Sequence, residues 1–311
     1  MCLKRYLAEL SDGDNTLVSS KLAKISALSQ EELTLFLEAW ARMGVARRKQ
    51  IVGKLVELAE ENPSLTFDDI FRACLLDPDE VVRAKSIEGL WECENRSLIK
   101  PLIALLREDS KESVRAAAAV ALGRFAMLAE LEKLRPQDGV KVQNALLSAI
   151  EDQREQLAVK RRAIEAIAPI SLPKVEDIIH QAYKSGDSRM RASALYAMGR
   201  NGDPAWLPIL VKELSSLDAE MRFEAAGACG ELGDEAAVPQ LVRLIDDIDT
   251  QVKCSAIVAL GQVGGSEAEK ALRKCLDHPD EQVRKAAEES LEELGFGKEP
   301  LSFRFESGDH L

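Results

Sequence analysis

The sequence is poor in histidine, paired cysteine and long apolar segments, and each shortage excludes a class of protein. Three histidines stand far apart among 311 residues, and none of the six cysteines lies in a CxxC pair, so neither a metal site nor a disulfide framework is indicated. No segment approaches the roughly 18 consecutive apolar residues of a membrane span. The first residues, MCLKRYLAELSDGD, lack the apolar run of a secretory signal. We therefore expect a cytoplasmic protein that does not enter a membrane.

Positive charge is also scarce. Lys and Arg number 41 against 53 Asp and Glu, which gives a formal net charge of -12. A protein of this charge repels nucleic-acid phosphates and anionic lipids, so we expect neither as a partner.

The sequence also shows no familiar pattern of catalytic residues. It contains no P-loop, no dinucleotide-binding glycine pattern, and no Ser or Cys nucleophile with a recognisable base. We therefore expect a non-catalytic protein that binds no cofactor and no metal.

What the sequence does contain is a helical repeat. Ala, Leu, Glu, Lys and Arg dominate, while aromatic residues make up 5%. One pattern recurs around an apolar residue, here called the anchor, at steps of 32, 45, 31, 31, 31 and 31 residues: Val82, Val114, Val159, Met190, Met221, Val252 and Val283. A fixed period of this length is the signature of a stacked array of repeats.

Each repeat is predicted to be two helices, of which the second carries the clearer pattern. Three residues before the anchor there is usually an Asp, suited to cap the helix and placed four residues before a cation on the same helical face. The cation follows the anchor, a small residue stands at plus-four, and an apolar residue stands at plus-eight. Plus-nine is Gly in four repeats, where we expect it to end the helix in a left-handed turn. The first helices carry prolines near their starts, which fits a helix N-terminus.

The pattern D..VR..A..ALG, preceded by P.L..LL, resembles the HEAT repeat, in particular the phycobilisome-lyase-like form. This resemblance implies an all-α superhelix, a HEAT/armadillo-like solenoid of about eight helical hairpins, in which the second helix of each pair lines the concave side. We divide the chain into an N-terminal cap with a degenerate repeat (residues 1–65), the repeats (66–294, with an insertion near 125–138) and a flexible tail (295–311). The alternative for this tail is that its motif LSFRF folds back over exposed apolar surface at the last repeat.

Opposite the buried arc of the second helices, plus-two and plus-six are uncharged in four repeats: Ala116, Val120, Ala192, Tyr196, Phe223, Gly227, Cys254 and Val258. An uncharged floor with a charged rim is typical of a surface that binds a partner; close packing between neighbouring helices would also select small residues there. The predicted partner-binding residues are Tyr196, Arg200, Phe223, Glu224, Val258 and Arg162. Aromatic residues and Arg carry most of the energy of interfaces.

The leading functional hypothesis is a scaffold that binds a protein or peptide along its concave surface. The family resemblance alone implies an alternative, a bilin lyase or chaperone that binds a tetrapyrrole or its apoprotein. Some HEAT proteins hold iron with His-Glu dipeptides, but His180, His278 and His310 are followed by Gln, Pro and Leu.

Other features leave two interpretations open. The 45-residue step contains about 14 extra residues, expected as an overlong projecting helix that is either a tolerated insertion or part of a binding face. The basic run Arg47, Arg48 and Lys49 either pairs with Glu31, Glu32 or Glu38 or binds an acidic partner. Trp40, Trp91 and Trp206 are expected as wedges between repeats rather than ligand-stacking residues, and Cys254 as a buried small side chain rather than an exposed thiol.

Overall fold

The computed structural model describes residues 3–13 and 15–298, and within them the chain forms eighteen α-helices and no strand. Contacts between residues divide the chain into two units, Met1–Ile170 and Ser171–Leu311. The first unit contains α1 (Leu3–Ser11), α2 (Ser19–Leu22), α3 (Gln30–Trp40), α4 (Val45–Glu61), α5 (Asp68–Cys74), α6 (Glu80–Gly89), α7 (Ile99–Glu108), α8 (Glu112–Glu130), α9 (Pro136–Glu151) and α10 (Leu157–Ile167). The second contains α11 (Pro173–Tyr183), α12 (Ser188–Asn201), α13 (Leu207–Glu213), α14 (Ala219–Leu232), α15 (Val238–Leu244), α16 (Thr250–Val263), α17 (Gly265–Cys275) and α18 (Glu281–Lys298).

Helices α3 to α18 form eight consecutive pairs, four in each unit. Within the second unit, the second helices α12, α14, α16 and α18 pack against one another in sequence order. In the first unit α4, α6, α8 and α10 do the same. The predicted all-α solenoid of about eight hairpins is confirmed, because within each unit the second helix of a pair packs against that of the next pair. The proposed domain limits at 65 and 294 stay a prediction. Residues 299–311 of the predicted flexible tail, including the LSFRF motif, lie outside the described residues.

The second helices begin where the repeat pattern predicts. The side chain of Asp218 accepts a hydrogen bond from the Glu220 amide at 2.9 Å, and that of Asp249 accepts from Gln251 at 2.8 Å. Asp79, Asp187 and Asp280 accept equivalent bonds. These aspartates cap amides that have no partner within the helix.

The predicted buried arc of the second helices is confirmed. The small residue at plus-four is completely buried in all seven repeats: Ser86, Ala118, Ala163, Ala194, Ala225, Ala256 and Ala287. The anchors are also buried, as are the plus-eight residues from Leu90 to Leu260. The positions that repeat along the sequence are therefore those at which neighbouring helices touch.

The glycines at plus-nine have a different role from the one expected. Gly199 and Gly230 lie inside α12 and α14, and a Cβ on either would stand 2.7 or 2.8 Å from the Cα of Ala228 or Ala259 on the next second helix. The equivalent close approaches are Gly123 to Ala166 and Gly261 to Ser290. The prediction that plus-nine ends the helix is wrong: the helices end three residues later, in left-handed turns at Gly202 and Gly233 and at Gly264, which also has a positive φ. Plus-nine is Gly because the backbone at plus-seven of the next second helix leaves no room for a side chain.

In several repeats the cation after the anchor joins successive pairs rather than pairing with the residue that caps its own helix. Arg222 Nε lies 2.7 Å and Nη2 2.8 Å from the two carboxylate oxygens of Asp247, which follows the first helix of the next pair. Arg83 contacts Asp109 in the same way, and Arg115 contacts Glu155. The remaining Arg222 nitrogen, Nη1, donates to the Ser216 carbonyl oxygen at 2.9 Å. The carboxylate of the capping residue Asp218 instead accepts a hydrogen bond from the Glu220 amide of its own helix.

The insertion lengthens one helix pair and packs against it. Helix α8 ends at Glu130, and α9 begins at Pro136 after a turn that includes Glu132 with φ of 58°. Phe125, Ala126 and Leu128 are buried, so the expectation of a projecting helix is wrong. At Gly139 a Cβ would stand 2.9 Å from Ala129 Cβ, which shows how closely α9 approaches the end of α8.

The basic run at the start of α4 pairs with aspartates of the next repeat and not with Glu31, Glu32 or Glu38. Arg48 Nε lies 3.5 Å from Asp77, and Lys49 Nζ lies 3.0 Å from Asp79. The buried Arg47 donates to the carbonyl oxygens of Leu10 and Asn15, at 2.7 and 2.8 Å. These contacts hold the N-terminal segment and the neighbouring repeat to α4.

Two of the three tryptophans are the buried wedges that the sequence predicts. Trp40 donates to Asp77 at 2.8 Å, and Trp206 donates to Asn201 at 2.8 Å with its ring 4.4 Å from that of His180. Trp91 contradicts the prediction, because 53% of it is exposed.

Candidate functional site

The second unit carries three large apolar side chains on the solvent-exposed faces of three neighbouring second helices. Tyr196 on α12, Phe223 on α14 and Val258 on α16 are 41%, 38% and 43% exposed. Gly227 and Cys254, the other uncharged residues of this face on α14 and α16, are partly exposed. We call these five residues the apolar strip.

The contacts between the helices place the strip residues side by side. Gly199 meets Ala228 and Gly230 meets Ala259, so α12, α14 and α16 stack with the same two positions in contact each time. Near the strip itself, Ser255 Oγ donates to the Phe223 carbonyl oxygen at 3.0 Å. Because the stacking repeats, equivalent positions of the three helices lie in a row, and the strip is continuous across them.

Charged residues on α18 end the apolar strip on its C-terminal side. On α18 the corresponding positions hold Lys285 and Glu289, whose charged groups lie 3.7 Å apart. Along the rim, Arg200 Nη1 of α12 lies 3.7 Å from Glu231 Oε2 of α14. Burial raises the pKa of the Glu231 carboxyl against the opposing charge of Arg200. The strip is thus a bounded uncharged surface with a charged rim.

The structure brings together five of the six predicted site residues. Tyr196, Arg200, Phe223, Glu224 and Val258 all lie on α12, α14 or α16, with Glu224 half-buried beside Phe223 in the sequence. Arg162 belongs to α10 in the first unit, where its Nη1 lies 2.5 Å from Glu165 Oε2. Its role in partner binding stays a prediction.

Two details of the predicted floor are corrected. Ala192 is 1% exposed, so plus-two of α12 belongs to the core and Tyr196 alone represents that helix in the strip. Cys254 is partly exposed rather than buried, and partial burial raises the pKa of its thiol, which favours the protonated form. A raised pKa lowers the reactivity of a thiol, so the structure gives no sign that Cys254 is activated as a nucleophile.

The chemistry available at the strip is that of binding. Its side chains are uncharged, and charged residues such as Arg200, Glu224 and Glu231 stand around it. Within the described ranges, no three His, Cys, Asp or Glu residues cluster as metal ligands would, and no helix is both long and apolar enough to cross a bilayer. Sequence reasoning identified the strip from its lack of charge, whereas the contact between Arg200 and Glu231 required coordinates.

Comparison with known proteins places this architecture. The chain matches the model of HEAT repeats over residues 69–140, 143–214 and 207–292. A search of curated protein sequences finds no relative. Among solved structures, the complex of CpcE and CpcF of phycocyanin lyase from Nostoc sp. is 17% identical and matches with a TM-score of 0.57, over 89% of this chain and 97% of that chain. An engineered protein is 23% identical, over 64% and 97% of the two chains, with a TM-score of 0.41. Human deoxyhypusine hydroxylase is 16% identical, over 94% and 96%, with a TM-score of 0.38.

At 17% identity the CpcE and CpcF complex shows a likeness of fold alone, and this likeness agrees with the resemblance seen in the repeat motif. The matched HEAT-repeat segments, in contrast, cover more than half of the chain. The protein therefore belongs to the HEAT-repeat family.

Proposed function

We propose that this protein is a non-catalytic scaffold that binds a protein or peptide partner through the apolar strip. The observation that carries the proposal is the exposure of Tyr196, Phe223 and Val258 in a row within a chain that is 30% charged. Single exposed apolar side chains are ordinary, but aligned ones on three stacked helices form a patch that a partner can cover. Solenoids present such extended surfaces to their partners.

The composition of the strip favours a protein partner. Aromatic anchors surrounded by polar groups that exclude water are typical of interface hot spots. Tyr196 and Phe223 supply the anchors, and Arg200 with Glu231 supplies a polar rim. Replacement of an anchor is therefore expected to remove much of the binding energy.

The first test is affinity capture of partners by the wild type and by Phe223→Glu. The glutamate would place an unpaired charge at the centre of the interface, and we expect capture to fall at least about tenfold, since truncated hot spots cost about 2 kcal/mol or more. The thermal midpoint is expected to change little, because Phe223 is surface-exposed.

Leu217→Glu is the matched control. Leu217 is fully exposed in the turn before α14, in the same unit, and receives the same change from apolar to acidic. Equal loss of partners in both variants, or none in either, would remove the strip as the binding surface.

The alternative function, binding of a tetrapyrrole or its apoprotein, draws on the resemblance to phycobilisome-lyase-like repeats and on the fold likeness to CpcE and CpcF. The strip has an uncharged face that a flat chromophore could cover, and the same Phe223→Glu variant separates the two functions. A visible absorbance band that forms on mixing a bilin with the wild type, and is lost in Phe223→Glu, would favour the chromophore over a protein partner.

A further inference from the structure

A second surface, in the first unit, has the opposite character to the apolar strip. An open groove of about 910 Å³ lies between α7 and α9, on the side of the first helices. Five cations line it, Arg96, Lys100, Arg107, Arg135 and Lys141, against a single carboxylate, that of Asp138. In a chain with a net charge of -12, this local excess of positive charge stands out. We call this surface the basic groove.

The cations of the basic groove reach it from two walls. Lys100, Ile103 and Arg107 recur at three- and four-residue intervals and share one face of α7. Asp138, Lys141 and Asn144 share one face of α9 in the same way. Arg96 precedes α7, and Arg135 precedes α9.

Most of these cations have no acidic partner. Lys141 Nζ lies 2.8 Å from Asp138. Among the residues that the structure describes, none forms an ion pair with Arg96, Lys100, Arg107 or Arg135. The cations at the contacts between repeats, such as Arg83 and Arg222, are in contrast fully engaged.

The single carboxylate of the basic groove, that of Asp138, is influenced by the positive charges around it. The hydrogen bond from Lys141, together with the charges of Lys141, Arg96 and Arg135, holds the pKa of Asp138 below its usual range. Positive charge from both walls therefore converges on the same end of the groove, which favours a bound anion over a cation.

The insertion that interrupts the 31-residue period builds one wall of the groove. Arg135, Gln137 and Asp138 stand at the start of α9, directly after the extra turn that follows α8. The close approach of Gly139 to Ala129 fixes the start of α9 against the end of α8. The insertion thus supplies binding groups rather than length alone.

We propose that the basic groove binds a short acidic peptide segment in an extended conformation. The amides of Gln137 and Asn144 can pair with peptide backbone groups, and Ile99 and Ile103 provide an apolar floor for a side chain between the acidic ones. Helix α7, with ten residues, is about 15 Å long, which matches four or five extended residues.

The lining argues against nucleic acid as the occupant. None of the described residues that line the groove is aromatic, so bases would find no surface on which to stack. The negative charge of the whole chain also repels a long polyanion more strongly than a short peptide that carries few charges.

The test is fluorescence anisotropy with a labelled peptide of about eight residues, about half of them glutamate, on the full chain. The length exceeds the groove by about two residues at each end. We expect saturable binding that weakens about tenfold or more in Arg135→Glu and in Arg107→Glu, and that disappears when glutamine replaces every glutamate of the peptide. Both variants are expected to keep the wild-type circular dichroism spectrum, because both side chains are exposed.

Two control variants test whether peptide binding depends on the basic groove itself, rather than on the net charge of the chain or on the apolar strip. Arg42→Glu changes the net charge by the same amount as the groove variants, at an exposed position of the same unit outside the groove. Phe223→Glu alters the apolar strip. Both control variants are expected to bind the peptide as the wild type does. Equal weakening in Arg42→Glu and Arg135→Glu, unchanged binding in both groove variants, or tighter binding of a single-stranded oligonucleotide of equal charge would overturn the proposal.

Discussion

Replacement of Gly230 by alanine is expected to lower the free energy of unfolding by about 2 kcal/mol, the range found for overpacked sites. The new Cβ would stand 2.8 Å from the Cα and 3.0 Å from the Cβ of Ala259. The nearest atom, Gln262 Oε1, belongs to a flexible side chain that can turn away, but the Ala259 backbone cannot, so α14 and α16 must move apart. The loss outweighs the gain of about 1 kcal/mol that alanine brings to a helix interior.

Gly227→Ala is a control on the same helix with the opposite expected sign. A Cβ there would meet Ser255 Oγ at 3.7 Å, an ordinary contact. Alanine lowers the conformational entropy of the unfolded chain relative to glycine, so Gly227→Ala is expected to raise the free energy of unfolding by about 0.5–1 kcal/mol. Urea unfolding followed by circular dichroism measures both variants. A Gly230→Ala protein as stable as Gly227→Ala would show that plus-nine is not a close approach between repeats.

The second large effect is expected at the contact between Arg222 and Asp247. The side chains are 12% and 7% exposed, so Arg222→Ala leaves a buried carboxylate without its partner. Loss of one member of such a pair typically costs about 3 kcal/mol or more. Arg189→Ala is the control, since Arg189 is 62% exposed and contacts the cap of its own helix, where we expect a change below about 0.5 kcal/mol.

At acid pH, the difference in the free energy of unfolding between wild type and Arg222→Ala is expected to disappear. The hydrogen bonds from Arg222 hold the pKa of Asp247 below its usual value, although burial acts in the opposite direction. A carboxyl whose pKa is lower in the folded chain stabilises the fold above its unfolded pKa of about 3.9 and loses that contribution as the pH falls through its folded pKa. Unfolding measured between neutral pH and pH 3 should show the two proteins converge below about pH 4. A difference that stays constant over this range would assign the effect to packing instead.

The repeat made much of the fold predictable. Burial of Ala194, Ala225 and Ala256 follows from a small residue at the same position in each repeat, and the capping aspartates follow from their place before an amphipathic helix. Tyr196, Phe223 and Val258 were identified by exclusion, because their positions are uncharged in a chain that is 30% charged.

Contacts between repeats were harder to predict, because a one-dimensional pattern does not say which copy a side chain touches. Asp218 and Arg222 stand four apart on one helix, yet Arg222 contacts Asp247 of the following repeat. In the sequence, Gly230 is as compatible with the end of a helix as with a close contact between two helices. Only the position of Ala259 in the structure distinguishes the two. The basic groove was hidden for the same reason, since Arg96 and Arg135 are remote in sequence.

Site-specific photo-crosslinking tests the central claim, that the apolar strip is the partner-binding surface. A benzoylphenylalanine in place of Tyr196 or Val258 is expected to cross-link the captured partner, because both positions lie on the strip across three stacked helices. The same residue in place of Leu217 or Ile248, which are more exposed but lie in turns away from the strip, is expected to give no cross-link. Cross-links from Leu217 and Ile248 without any from Tyr196 and Val258 would contradict the claim.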